Sequence, residues 1–204
     1  MRLMPCVAMT FAMMTSPALG DQPDVRAIVE RHVLPGYEAL ASEASELAEV
    51  AREDCSTTSP NLTAAYHNAF DAWVKVSHLR FGPSEQDDRA FALAFWPAPR
   101  GSTPKTLTTM IREKDAAGSD PGAFNKVSVA ARGFEAREFL LFDPAFSTDD
   151  TADYECALVK AVTADIAETS EAILSGWANG YGDLMAVADN DTYRTSTEAA
   201  RQLF

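Results

Sequence analysis

The chain has few basic residues and lacks the common catalytic motifs, and each scarcity excludes a class of function. Its 204 residues include 17 lysines and arginines against 30 aspartates and glutamates, which gives a net charge of −13. Nucleic-acid binding requires a basic surface, so the charge balance argues against a DNA or RNA partner. The sequence contains no glycine-rich phosphate loop, no His-Glu-x-x-His and no nucleophile elbow. The commonest nucleotide-binding and hydrolase signatures are therefore absent.

Histidine is also scarce, with only His32, His67 and His78 in the chain. His67 and His78 lie eleven residues apart on one predicted helix. That spacing places them on the same face but about 16 Å apart, too far to share one metal ion. We interpret the histidines as structural or surface residues.

Long apolar runs are absent apart from the first 20 residues. Five of the seven methionines fall within residues 1–14, Arg2 provides a positive start, and Ala18 and Gly20 precede Asp21 as small residues. This pattern predicts a signal peptide over residues 1–20. The alternative, a membrane anchor, would need a longer apolar run. We expect a protein of the periplasm or cell envelope whose mature chain has no transmembrane segment and, because Arg2 is lost, a net charge of −14.

Removal of residues 1–20 leaves two cysteines, Cys55 and Cys156. An even pair in an oxidising compartment predicts a disulfide, with two unrelated buried thiols as the alternative. Closing a loop of this length adds roughly 4–5 kcal/mol of stability in the chain-entropy model.

The apolar periodicity of the mature chain is helical, and no segment shows sustained strand alternation. The predicted helices cover 24–54 with a kink at Pro35-Gly36, 59–80, 103–114, 120–142, and a last long helix that ends at Gly180. Residues 81–102 are predicted to form a long ordered loop. Four long helices with polar outer faces predict an all-α, up-and-down helical bundle. Alternating helix direction then places Cys55 and Cys156 at the same end of the bundle.

The last ten residues contain a helix start. Thr195-Ser196-Thr197-Glu198 fits a capping box, and the apolar stripe that follows stops at Phe204 after about two turns. A helix this short is not stable alone, so the pattern favours a C-terminally truncated product. A short docked terminal turn is the alternative.

Two glutamates form the best candidate site. Glu135 and Glu138 are three residues apart in the apolar segment Gly133–Phe142, so they share a helical face. Carboxylates in apolar surroundings need a cation or hydrogen-bond donors, and an oxygen-rich site suits a hard cation. The alternative is that both glutamates pair with an arginine: Arg80, Arg100 or Arg137.

Three segments together carry a family resemblance: residues 69–83, 94–101 and 133–142. In order and spacing they resemble the imelysin family of bacterial cell-envelope proteins, which are named as metallopeptidases and linked to iron uptake. The matching residues are Trp73, Arg80, Gly82, Pro83, Trp96, Pro97 and Gly133.

The resemblance implies a fold of two similar helical bundles, in proteins longer than this one. It implies an imelysin-like domain over 21–204, with a first bundle to about 182 and the start of a second over 183–204. The family signature, Gly-x-His-x-x-Glu, aligns as Gly133, Glu135 in place of the histidine, and Glu138. Because imidazole is a leading zinc ligand, this replacement disfavours zinc peptidase chemistry and better preserves the binding of a hard cation such as iron.

Three functions are expected from these residues. The first is a non-catalytic, metal-linked binding or accessory protein of the envelope, with periplasmic uptake components as partners. In it, Glu85, Asp87 and Asp88 either assist the glutamates or form a solvated loop. The second is a metallopeptidase of the same family. The third is a structural or interaction bundle in which the glutamates are ion-paired and the segment 91–97 docks a partner or packs in the core.

Overall fold

The computed structural model describes residues 24–143, 146 and 151–203, and within these ranges every regular element is helical. The α-helices are α1 (Val25–Ile28), α2 (Leu34–Glu53), α3 (Pro60–Val76), α4 (Arg89–Leu93), α5 (Ser102–Glu113), α6 (Pro121–Phe124), α7 (Gly133–Phe142), α8 (Ala152–Gly176), α9 (Gly182–Val187) and α10 (Ser196–Gln202). The predicted all-α class is confirmed. The predicted signal peptide, residues 1–20, lies outside the described residues. In the described ranges, no helix combines the length and the apolar character that a membrane crossing requires.

Helix α2 is the centre of the bundle, because it packs along both α8 and α3. The apolar stripes predicted from the sequence meet at these two contacts. Side chains with no exposed surface there include Leu40, Leu47, Leu62, Val162 and Ile166. Helix α7 packs on α8 and is also in contact with α4 and α5. The predicted helical bundle is confirmed, and α7 lies against its longest helix.

The irregularity in the first long helix precedes the expected kink. A π-turn over Val29–Val33 joins α1 to α2, and Pro35-Gly36 lies in the first turn of α2. Proline has no backbone N–H to donate within a helix, and the π-turn lies directly before it. A side chain at Gly36 would place its Cβ 2.6 Å from Val76 Cγ1, so glycine allows α2 and the end of α3 to approach closely.

Helix α3 and the segment that follows it differ from the sequence prediction. The helix ends at Val76 rather than near residue 80. The expected loop over 81–102 contains 3₁₀ turns at Gly82–Ser84 and Gln86–Asp88, followed by α4. Gly82 has φ +59°, in the left-handed region that an α-helix does not use. Because α3 already ends at Val76, the prediction of a helix to residue 80 was wrong.

The single helix expected over 120–142 is also divided. Helix α6 ends at Phe124, a 3₁₀ turn covers Val129–Ala131, and α7 begins at Gly133. Gly133 has φ +72°, which interrupts any continuous α-helix at that residue. Because the spacing of apolar residues continues across the break, the periodicity of the sequence did not predict it.

The C-terminal part of the described chain folds back on its beginning. Helix α8 ends at Gly176 and passes through a π-turn, Trp177–Tyr181, into α9. Helix α10 begins as expected, since Thr195 Oγ1 accepts a hydrogen bond of 3.1 Å from the Glu198 backbone N–H. Helix α10 contacts α9 and α1. Its apolar stripe is buried: Ala199, Ala200 and Leu203.

Cys55 and Cys156 form the predicted disulfide, with their Cα atoms 5.3 Å apart. Cys55 follows α2 and Cys156 lies in the first turns of α8, so the bond closes one end of the central helix pair. The prediction that both cysteines lie at the same end of the bundle and form a disulfide is confirmed.

Loss of the disulfide should destabilise the protein by up to about 4–5 kcal/mol, because the closed loop limits the unfolded chain. Urea unfolding with and without reductant measures this loss. A Cys55→Ala/Cys156→Ala variant should show the reduced stability and no response to reductant. Equal midpoints for oxidised and reduced wild type would contradict the expectation.

Candidate functional site

Gly133 fixes the start of α7. Its φ of +72° is accessible to glycine, and a Cβ at this position would collide with the carbonyl oxygens of Ala92 and Leu93 at the end of α4. The preceding residue, Arg132, donates from Nε and Nη2 to the two carboxylate oxygens of Asp165 on α8, at 2.9 and 2.8 Å. A close backbone contact and a bidentate ion pair therefore position α7 against α4 and α8.

Glu135 and Glu138 lie on one face of α7 and line a pocket of about 450 Å³. Phe139, Phe142 and Asp143 complete its lining. Glu135 is half-buried and Glu138 is exposed. Partial burial raises the pKa of the Glu135 carboxyl, and the negative charge of Glu138 raises it further. The predicted pair therefore shares a pocket, in which ionisation of Glu135 is unfavourable.

Neither glutamate forms an ion pair within the described part of the chain. Arg80 instead donates to Glu85 at 2.6 Å. Arg137 is completely buried, and none of its side-chain nitrogens has a hydrogen-bond partner among the residues that the structure describes. Pairing of the two glutamates with arginine is not observed in the described residues.

Arg137 is a buried cation on the same helix. Burial lowers its pKa to about 10, against a smaller opposing influence from Tyr66, so the guanidinium remains charged at neutral pH. A buried charge without a partner is costly, and such side chains are rare in protein cores. The sequence suggested Arg137 only as a partner for its neighbouring glutamates, and nothing in its spacing indicated burial.

Aromatic side chains of α3 pack beside α7. The Tyr66 hydroxyl donates to the Phe134 carbonyl oxygen at 3.3 Å, and burial together with the Glu138 charge raises the pKa of Tyr66. The Tyr66 ring also makes an edge contact with Phe142, and the His67 ring stacks on Phe142 with centroids 6.1 Å apart. Tyr66 could have been found from its position on the apolar stripe of α3, but its contact with α7 could not.

Several residues of the family resemblance have structural roles. Trp73 is buried in α3. A Cβ at Gly82 would collide with the Tyr181 ring, and a Cβ at Gly176 would lie 2.8 Å from Pro83 Cβ. These contacts hold the Gly82–Ser84 turn against the end of α8. Glycine is required at Gly82 and Gly176 because a Cβ would collide with these neighbouring side chains.

The apolar segment 91–97 mostly belongs to the core. Leu93 and Phe95 are buried, whereas Trp96 is 77% exposed and is followed by a cis peptide bond to Pro97. Core packing, one of the two expected roles, is observed for most of the segment.

The acidic residues after Gly82-Pro83 do not join the α7 pocket. Glu85 pairs with Arg80, Asp87 pairs with Arg89 at 3.1 Å, and Asp88 is exposed. None of these three side chains lines the pocket of Glu135 and Glu138. Their expected assistance to the glutamates finds no support in these positions.

The donors at α7 suit a hard cation better than zinc. The described residues that line the pocket include three carboxylic acids, Glu135, Glu138 and Asp143, and no histidine or cysteine. Among the described residues, no group of three or more histidine, cysteine, aspartate or glutamate side chains is close enough to hold a metal ion. A cation at this pocket would therefore be held by the two glutamates and complete its shell with water.

Replacement of Arg137 by methionine should stabilise the protein by about 1–4 kcal/mol, because it removes an unpaired buried charge and keeps the apolar contacts. The matched control is Arg132→Met. That change leaves Asp165 buried without its partner and should cost about 3–5 kcal/mol. Urea unfolding of both variants gives the two values, and a destabilised Arg137→Met protein would contradict this description of the core.

Replacement of Glu135 by glutamine should raise stability at pH 7 and have no effect in acid. The folded-state pKa of Glu135 lies above the unfolded value, so folding favours the protonated carboxyl. The stability that the protonated carboxyl of Glu135 contributes is complete below the unfolded pKa and is lost as pH rises through the folded pKa. Glutamine does not ionise, so the variant does not lose this stability. Thermal melting of both proteins from pH 3 to 8 tests the sign, and a gap that widens in acid would refute it.

Comparisons with known proteins agree with this fold. The sequence profile of the imelysin family matches residues 33–204. An imelysin-like protein from Psychrobacter arcticum superimposes with a TM-score of 0.72 at 18% sequence identity, over 87% of this chain and 55% of that protein. The chain thus spans little more than half the length of this structural relative. Comparison with curated proteins gives no significant match. The match to most of the chain shows that it belongs to the imelysin family.

Proposed function

We propose that this protein is a non-catalytic binding or accessory protein of the cell envelope, and that Glu135 and Glu138 bind a hard cation such as iron. The observation that carries the proposal is the half-buried carboxyl group of Glu135, which shares a pocket with Glu138 and pairs with no arginine among the described residues. Two neighbouring carboxylates repel each other unless a cation or a proton lies between them.

The electrostatics of the pocket favour a cation. Ionised Glu135 has little compensation in the folded protein, so its pKa is raised. A bound cation would supply that compensation and lower the pKa again. The net charge of −13 also raises the local concentration of cations at the surface. Because Glu138 is exposed, the ion would keep several waters, and we expect weak binding.

The absence of peptidase activity is proposed from the residues present. Glu135 stands where the family signature has histidine, so the nitrogen ligand that favours zinc is replaced by an oxygen ligand. The carboxylate keeps a negative charge in the pocket and suits iron(III), calcium or magnesium. The alternative, a metallopeptidase of this family, would need further ligands that the described part of the chain does not bring to Glu138.

The cysteines and the family support the proposed location of the protein. The Cys55–Cys156 bond is typical of an oxidising compartment, which supports a periplasmic or envelope location. Metal-uptake components of the same compartment are the proposed partners.

Removal of one carboxylate should weaken cation binding. Calorimetry with calcium and with iron(III) citrate should show that Glu138→Gln lowers affinity about tenfold or more, because one of two charged ligands is lost. The matched control is Glu46→Gln on α2. Glu46 and Glu49 have the same three-residue spacing but are exposed to solvent. This control should change affinity less than about twofold.

Three outcomes would overturn the proposal. Equal affinities of wild type and Glu138→Gln would remove the glutamates from the binding site. No binding by wild type would favour the structural or interaction bundle. Cleavage of a casein substrate that requires added metal and Glu138 would favour the metallopeptidase.

A further inference from the structure

The geometry points to a second metal site, for a nitrogen-preferring transition ion such as zinc, between His32 and His78. The two Nε2 atoms lie 3.5 Å apart, although the residues are 46 positions apart in sequence. The ring centroids are 5.5 Å apart, so the rings meet at their Nε2 edges rather than stacking. This site is separate from the glutamates of α7 and does not depend on the function proposed for them.

The Nε2 separation matches two ligands of one ion. Zinc binds histidine nitrogen at about 2.0–2.1 Å with tetrahedral geometry, which places two such ligands about 3.4 Å apart. The same separation is long for a direct hydrogen bond between the two rings. Both side chains are exposed, so water can complete the coordination and small ring rotations can direct both nitrogens at the ion.

Buried contacts next to both histidines hold them in register. His32 lies on the π-turn Val29–Val33 that leads into α2, and His78 follows the end of α3. Gly36 allows α2 to approach Val76, two residues before His78. The buried Tyr37 hydroxyl donates a hydrogen bond of 3.4 Å to the carbonyl oxygen of Leu79, which directly follows His78. The backbones that carry the imidazoles are therefore positioned before any metal binds, which reduces the entropic cost of binding.

Of the two arginines close to the histidines in sequence, Arg80 pairs with Glu85 at 2.6 Å, whereas Arg31 forms no ion pair with the described residues. The acidic net charge of the chain further favours a cation at its surface. Imidazole ligands select zinc, copper or nickel over calcium or magnesium, so this pair and the α7 carboxylates should prefer different ions.

The test uses zinc chloride and the disulfide-bonded protein. Calorimetry should give one zinc ion per wild-type chain at this site, and His32→Ala and His78→Ala should each lower affinity about tenfold or more. The matched control is His67→Ala, which removes the third histidine and should leave affinity unchanged. Zinc should also raise the melting temperature of wild type and His67→Ala more than that of the other two variants.

A second readout identifies the ligands directly. In ¹⁵N NMR spectra, zinc should shift the Nε2 resonances of His32 and His78 together and leave those of His67 in place. No zinc binding by wild type, unchanged affinity in His32→Ala, or an equal loss in His67→Ala would overturn the inference. Glu138→Gln should bind zinc at this pair like wild type, so failure here and failure of the α7 proposal are distinguishable.

Discussion

The contact of Gly133 with the carbonyl oxygens of Ala92 and Leu93 fixes where α7 begins, and the candidate site depends on it. The backbone at Gly133 is left-handed, and no space exists for a Cβ. One residue earlier, Arg132 forms its bidentate pair with Asp165 on α8. A sterically demanding contact and a nearly buried ion pair thus set both the start and the rotation of the helix. The Gly133 of the family signature is explained by this packing.

The rotation of α7 separates its charges. Glu135 and Glu138 line the pocket, whereas Arg137 is buried in the core with no hydrogen-bond partner in the described part of the chain. Both features cost stability: a like-charged carboxylate pair in a partly buried pocket, and an unpaired buried cation. Violations of ordinary folding rules concentrate at functional sites. Here they occur on one ten-residue helix, Gly133–Phe142.

Much of the bundle could be predicted from sequence, because apolar periodicity reports which helix faces are buried. The Cys55–Cys156 bond was predictable because alternating helix direction brings those two ends together. The end of α3 at Val76 and the break at Gly133 were not. At Gly133 the apolar stripe continues through a residue whose left-handed backbone is set by tertiary contacts. The His32–His78 pair was missed for a related reason. Its proximity results from packing of α2 on α3, whereas spacing arguments compare residues within one helix.

We propose that ionisation of Glu135 is unfavourable in the folded protein and that a bound hard cation relieves this cost. The most direct measurement is the Glu135 pKa, from ¹³C NMR of the side-chain carboxyl during pH titrations with and without calcium. We expect a pKa above the ordinary glutamate value without calcium, and a lower pKa when calcium is present. An ordinary pKa in both titrations, or a raised pKa that calcium does not change, would contradict the claim.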